Sequence, residues 1–270
     1  MVLSYNEFIN KYYSIKELDP MLPDDIKITT ITTHFTFPVI FNTRYIADNI
    51  VLDKDFIVSI KYGNTTAIRR SIITKDVKIK NKSKKVNNRQ NFYFQTSLIV
   101  NSGKINLNIK IFKNGSIQVT GAKNISSILW CLYKIFKIFR APKNNNFTTP
   151  FEFANIKCIQ NFNVSTINCT FNVGFKLNRT LTYIKLRNDG YNVNYDSSRH
   201  SGINLKYTDL DNNFEINKSK FKKRQVTIII FEKGNVLISG SINYKDIIIC
   251  YKFLYNYLIE NYNEIVKIYE

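Results

Sequence analysis

The chain is short of acid, glycine, proline and cysteine, and each shortage narrows what it is. Only 20 Asp and Glu stand against 39 Lys and Arg, leaving a formal net charge of +19 over 270 residues. Such an excess points to a polyanionic partner, either nucleic acid or an anionic membrane surface. The abundance of Lys, Asn, Ile, Tyr and Phe, the residues of A/T-rich codons, supplies part of that excess. Four cysteines, at 131, 158, 169 and 250, include no C-x-x-C pair. Only His34 and His200 are on hand to complete a metal set, so no metal site and no cofactor is expected. Buried free thiols are the expected state. No apolar run reaches the ~20 residues that span a bilayer. The nearest, ISSILWCLYKIFKIF, is broken by lysines, and MVLSYNEFINKYYSIKELDP has no signal-peptide pattern. The reading is an intracellular protein with no membrane partner.

What is present is a repeat. Residues 111–124 read IFKNGSIQVTGAKN and residues 230–243 read IFEKGNVLISGSIN. The offset is 119 throughout, matching Phe112 with Phe231, Gly115 with Gly234, Thr120 with Ser239, Gly121 with Gly240 and Asn124 with Asn243. Glycine is scarce, nine in all, so the shared register is not an accident of composition. Each copy reads as two alternating strands around a glycine turn, then an asparagine N-cap, then a helix. Ile125, Ile128, Leu129, Leu132, Phe136 and Phe139 space one apolar helix face; Ile247, Cys250, Leu254 and Leu258 space the other. Upstream, Ile28-Thr-Thr-Ile-Thr resembles Val164-Ser-Thr-Ile-Asn at an offset of 136, and Phe37-Pro-Val resembles Val173-Gly-Phe.

The expected organisation is an N-terminal extension (1–23), a first repeat (24–141) with extra sequence near 41–91, a linker (142–155) and a second repeat (156–270). Two basic stretches stand out, KIKNKSKKVNNR near 78–89 and KSKFKKR at 218–224.

Alternation sorts each hairpin into two faces. Leu107, Ile109, Ile111, Ile117 and Val119 face a core in the first copy, as do Val226, Ile228, Ile230, Val236 and Ile238 in the second. The opposite faces carry Asn108, Lys110, Phe112, Gln118 and Thr120, and Thr227, Ile229, Phe231, Leu237 and Ser239. A phenylalanine thus stands at the same place on both outer faces. Either a second layer covers these faces or a partner does.

The two hairpin segments resemble the paired hairpins of the TATA-box-binding protein family, with the signature IF-x-x-G-x-hydrophobic-x-hydrophobic-TGAK. Ala122 and Lys123 complete it in copy one, Ser241 and Ile242 replace them in copy two, and Ile159-Gln-Asn161 resembles the family's I-Q-N. The resemblance spans roughly residues 24–266. It implies an α+β fold, a pseudo-two-fold saddle whose curved antiparallel sheet carries long helices on its convex face. It also implies minor-groove binding to A/T-rich double-stranded DNA with bending, by a monomer, and recruitment of a transcription factor IIB-like protein and RNA polymerase.

By position the resemblance assigns DNA contacts to Phe94, Phe112, Gln118 and Thr120 in copy one. In copy two it assigns them to Asn161, Asn163, His200, Ile203, Lys206, Phe231, Leu237 and Ser239. His200 stands where the family has a wedge phenylalanine, with Ile203 as its substitute. Asn161 or Asn163 takes the place of a central asparagine, while copy one offers only Lys27 or Ile28 there. The composition fits a large DNA virus or a protist, which places the protein in a nucleus, or in a cytoplasmic virus factory if viral.

Three other readings compete. An adaptor that kept the fold and lost DNA binding would account for His200, Lys27 and Gln118. An enzyme would need a Lys–Asp pair or clustered carboxylates, whereas Asp24-Asp25 and Asp209-Leu-Asp211 read as turns. A basic membrane-surface protein lacks a polybasic anchor.

Overall fold

A computed structural model describes residues 22–36, 40–63, 68–71, 95–103, 105–140, 160–210 and 224–267, except the side chains of 68–70, 136–140 and 160. Phe94, Cys158, the 142–155 linker, the 78–89 stretch and residues 218–223 lie outside that description, as do the side chains of Phe136 and Phe139.

The described residues form two compact units. The first takes in Thr32–Asn163. It contains the end of β1 (Lys27–Thr36), then α1 (Thr43–Asn49), β2 (Ile57–Tyr62), β3 (Ile68–Ser71), β4 (Gln95–Asn101), β5 (Asn106–Phe112), β6 (Ser116–Ala122) and α2 (Ile125–Arg140). Its strands lie in the order β3-β2-β4-β5-β6-β1. The second unit joins the start of β1, up to Ile31, to Val164 onward. It holds most of β7 (Gln160–Asn172), α3 (Arg179–Asn188), β8 (Val193–Asn194), β9 (Gly202–Tyr207), β10 (Val226–Phe231), β11 (Asn235–Ser241), α4 (Tyr244–Glu260) and α5 (Tyr262–Ile265). Its strands run β7-β11-β10-β9-β8. The hairpins β5–β6 and β10–β11 are antiparallel, and so are their pairings to β4 and β9.

The hairpin turns need their glycines. Gly115 and Gly234 sit at φ 88° and 78°, a left-handed conformation that side chains resist. Their amides donate to Phe112 O and Phe231 O at 3.2 and 3.0 Å, closing four-residue turns that end in a left-handed residue. At Gly234 an added Cβ would also run into the Phe175 carbonyl oxygen.

Every hairpin residue expected to face a core is buried, at 2% exposure or less. The long helices cover that face. In α2, Asn124 Oδ1 accepts from Ser127 N at 2.8 Å, and Ile125, Ile128, Leu129 and Leu132 are buried against the sheet at β6. In α4, Asn243 Oδ1 accepts from Asp246 N at 2.9 Å, and Ile247, Cys250, Leu254 and Leu258 are buried over β10 and β11. Cys131, Cys169 and Cys250 are buried free thiols, and burial pushes each up to about 12.

The offset of 136 runs further than the sequence comparison carried it. Ile31 and Ile167, Thr33 and Cys169, and Phe35 and Phe171 occupy matching buried positions on β1 and β7. The match continues through Phe41 and Leu177 into two short helices with the same cap. Asn42 Oδ1 accepts from Tyr45 N, and Asn178 Oδ1 accepts from Leu181 N. Ile46 in α1 and Ile50 just after it are buried as Thr182 and Leu186 are in α3. Residues 41–50 therefore hold the first repeat's own short helix, and its extra sequence begins only after it. Part of that excess builds β3, an added strand at the edge of β2.

Arg224, the last residue of the second basic stretch, is part of the packed structure. Its guanidinium pairs with Asp246 at the start of α4, whose carboxylate is 5% exposed and also accepts from Ile242 N at 3.2 Å. The carboxylate sits where the N-terminal helix dipole favours negative charge. Removing one partner of such a pair leaves the other charge buried. Asp246→Asn is expected to cost about 3 kcal/mol, the low end for a broken buried pair because Arg224 keeps 21% exposure. Urea unfolding with an unchanged m-value checks it.

Candidate nucleic-acid interface

Each helix covers one side of its strands, so the opposite side chains form an open face. In the first unit this face carries Thr32, His34 and Thr36 from β1, then Gln95, Ser97, Ile99, Asn108, Lys110, Phe112, Ser116, Gln118 and Thr120. In the second it carries Asn168, Thr170 and Asn172 from β7, then Gly202, Asn204, Lys206, Thr227, Ile229, Phe231, Asn235, Leu237 and Ser239. Among these described residues there is no Asp or Glu. The charges are Lys110 and Lys206, with Lys61 of β2 opposite Ser97 on the same face, and most of the other polar groups are hydroxyls and amides. Such a surface suits a polyanion whose exposed edge offers hydrogen-bond acceptors.

The two phenylalanines end equivalent strands. Phe112 stands opposite Gln95 and Phe231 opposite Gly202, and both rings are half-buried. Gly202 makes room for its neighbour: a Cβ there would meet Ile229 Cγ2 at 2.6 Å and Phe231 Cε1 at 3.0 Å. His200, exposed in the turn before β9, lines the same depression of about 620 Å³ as Phe231, with Asn194, Asp196, Arg199 and Asn204. The carboxyl of Asp196 is held below its usual range, first by the Ser198 hydroxyl that donates to it at 2.6 Å. It also pairs with Arg199 at 3.3 Å, so its charge is engaged locally.

The hydroxyls of the open face are fixed in matching networks. Thr32 Oγ1 donates to Thr120 Oγ1 at 3.4 Å in the first unit. At the equivalent place in the second, Ser239 Oγ donates to Asn168 Oδ1 at 2.9 Å, and Gly240 N donates to the same oxygen at 3.3 Å. Thr29 Oγ1 reaches Asn168 O at 3.0 Å. Lys206 lies along its sheet, with Nζ donating to Thr227 Oγ1 at 2.6 Å.

Of the residues expected from sequence, Phe112, Gln118 and Thr120 share the open face of the first unit. Lys206, Phe231, Leu237 and Ser239 share that of the second, with His200 beside Phe231. Asn161 and Asn163 are exposed at the start of β7. Asn161 adopts φ 53°, which asparagine tolerates, and its Nδ2 donates to Thr36 Oγ1 at 3.3 Å. Ile203 is a correction. It is 0% exposed and points to the helix-covered core, because in β9 the open face falls on Gly202, Asn204 and Lys206. It therefore gives no substitute wedge for His200. Both phenylalanines are also less exposed than alternation alone suggested. Sequence reasoning missed Thr32 and Asn168, although carrying the offset of 136 four residues past Ile28 pairs them. It also missed Asn204.

No described helix is long and apolar enough to cross a membrane. Among the described residues, no three His, Cys, Asp or Glu side chains gather as metal ligands.

The geometry defines a two-repeat α+β protein that presents in each repeat a hydroxyl-lined sheet face with no Asp or Glu among its described residues. Residues 161–260 match the family model described as transcription factor TFIID (or TATA-binding protein, TBP). A "TATA-box-binding protein-like" protein of Acanthamoeba polyphaga mimivirus is 29% identical over 263 residues, covering 89% of this chain and 67% of that protein. The solved structure of Methanococcus jannaschii TBP aligns with a TM-score of 0.53 at 16% identity, over 87% of this chain and 99% of that one. The resemblance of the hairpins to the TATA-box-binding protein family thus extends to most of the chain, and the fold is of that type.

The tight seat of Phe231 gives a direct check. Gly202→Ala is expected to displace the Ile229 and Phe231 side chains and to cost roughly 1–3 kcal/mol by overpacking. Thermal unfolding measures the cost. Altered aromatic and methyl proton shifts at residues 229 and 231 report the displacement.

Proposed function

We propose that this chain binds double-stranded DNA through its two open sheet faces, in the minor groove of an A/T-rich site, and bends it without chemistry. The observation that carries the reading is the repeated placement of Phe112 and Phe231 at the ends of equivalent strands, on faces that hold hydroxyls, amides and lysines but no described carboxylate. A half-buried ring at the end of a sheet is suited to press into a base step, and apolar wedges of this kind kink a duplex away from the protein. Lysines contribute by releasing counterions from phosphates, which makes affinity fall with salt. A/T-rich steps cost least to deform, so they are selected.

The resemblance to TATA-box-binding proteins supports a role in transcription initiation, for which the proposed partners are DNA, a transcription factor IIB-like protein and RNA polymerase. In that role it acts as a monomer, in a nucleus or a virus factory. His200, standing where a wedge phenylalanine is expected, favours a second reading in which the open faces take a protein of the transcription machinery and specific DNA binding is lost.

Binding of the full chain to fluorescent A/T-rich and G/C-rich duplexes, at low and moderate salt, separates the two. The expected result is an A/T preference that falls by about tenfold or more in Phe112→Ala and Phe231→Ala, while weak salt-sensitive binding survives. Equal binding to both duplexes, untouched by either substitution, would leave the adaptor reading standing.

A further inference from the structure

Each hairpin has two described open-face rungs; one matches between the units and the other does not. Asn108 opposite Thr120 in the first unit corresponds to Thr227 opposite Ser239 in the second, polar against polar in both. The next rung differs in kind. Lys110 stands opposite Gln118 in the first unit, and Ile229 stands opposite Leu237 at the same offset of 119. All four side chains are half-buried, so they form part of the surface floor. The flanking strands are polar in both units, with Ser97 beside Lys110, Asn204 beside Ile229 and Thr170 beside Leu237, so the contrast lies in the rung itself.

We infer that this rung reads base-pair identity differently in the two halves of a DNA site, with the second unit demanding A·T and the first accepting G·C. The inference rests on the minor-groove reading above. In that groove both A·T orientations show only acceptors, whereas G·C adds the guanine N2 amino donor. Pressed against Ile229 and Leu237, that amino group meets no acceptor on the rung itself, and burying a donor without one is costly. The carboxamide of Gln118 supplies an acceptor oxygen for it and a donor for the cytosine O2 beside it. The Lys110 ammonium offers further donors to groove acceptors. The preferred site then has unlike halves, and that inequality fixes the direction in which the protein sits on DNA.

The test is a scan of single G·C pairs through an A/T-rich duplex, with affinity measured for the full native chain and for variants that exchange the rung. For the native chain, G·C is expected to cost about tenfold in one half of the site and less than about twofold in the other. Lys110→Ile with Gln118→Leu is expected to make both halves cost about tenfold, and Leu237→Gln to relieve the penalty in the strict half. Equal penalties in both halves for the native chain, with the A/T preference intact, overturn this inference and leave minor-groove binding standing. No preference between A/T-rich and G/C-rich DNA overturns both. The scan on the native chain decides the matter even where a variant folds poorly.

Discussion

A sheet has two faces, and one long helix covers only one of them. That constraint organises each repeat. Side chains alternate along a strand, so burying Ile109, Ile111 and Val119 under α2 turns Lys110, Phe112 and Thr120 outward, and burying Ile228, Ile230 and Ile238 under α4 does the same for Thr227, Phe231 and Ser239. A one-residue slip in either hairpin would exchange the faces. The glycine turns at 115 and 234 prevent it, because their left-handed residues set the loop length and with it the register. The asparagine caps at 124 and 243 then start each helix at the same distance from its hairpin.

The side chains of the open faces are partly ordered in advance. The Thr32–Thr120 and Ser239–Asn168 bonds hold hydroxyl groups in place before any partner arrives, so little side-chain freedom remains to be lost on binding. Gly202 does the same for Phe231 by letting the ring lie against the neighbouring strand. Asp196 and Glu232, acids near the edge of the second face, are tied to local partners. The Glu232 carboxyl is held below its usual range, chiefly by Lys267, and it also pairs with Arg179. Negative charge near the face is thereby neutralised where it is unavoidable.

Much of this was legible in the sequence because it rests on short-range rules. Period-two alternation, two scarce glycines in register and two asparagine caps give the hairpins, their buried faces and the helix starts. What was not legible depends on spacing that sequence alone does not mark. Ile203 is the exception: the alternation Ile203-Asn204-Leu205-Lys206-Tyr207 itself marks the phase that buries it, and the wedge reading followed the positional resemblance instead. The short helices α1 and α3 share a cap and, in and around them, the buried pairs Phe41–Leu177, Ile46–Thr182 and Ile50–Leu186, but little identity, so the first passed for extra sequence. Arg224 read as part of a basic stretch because nothing local reveals a carboxylate 22 residues later at the start of α4.

The central claim is that the open faces occupy a DNA minor groove. The most direct measurement is competition on a preformed complex with A/T-rich duplex, using a small molecule that fills the A/T minor groove and leaves the major groove free. The account expects the small molecule to displace the protein at concentrations that saturate the groove. A complex that survives a filled minor groove would contradict it and move the contact to the phosphates or the major groove.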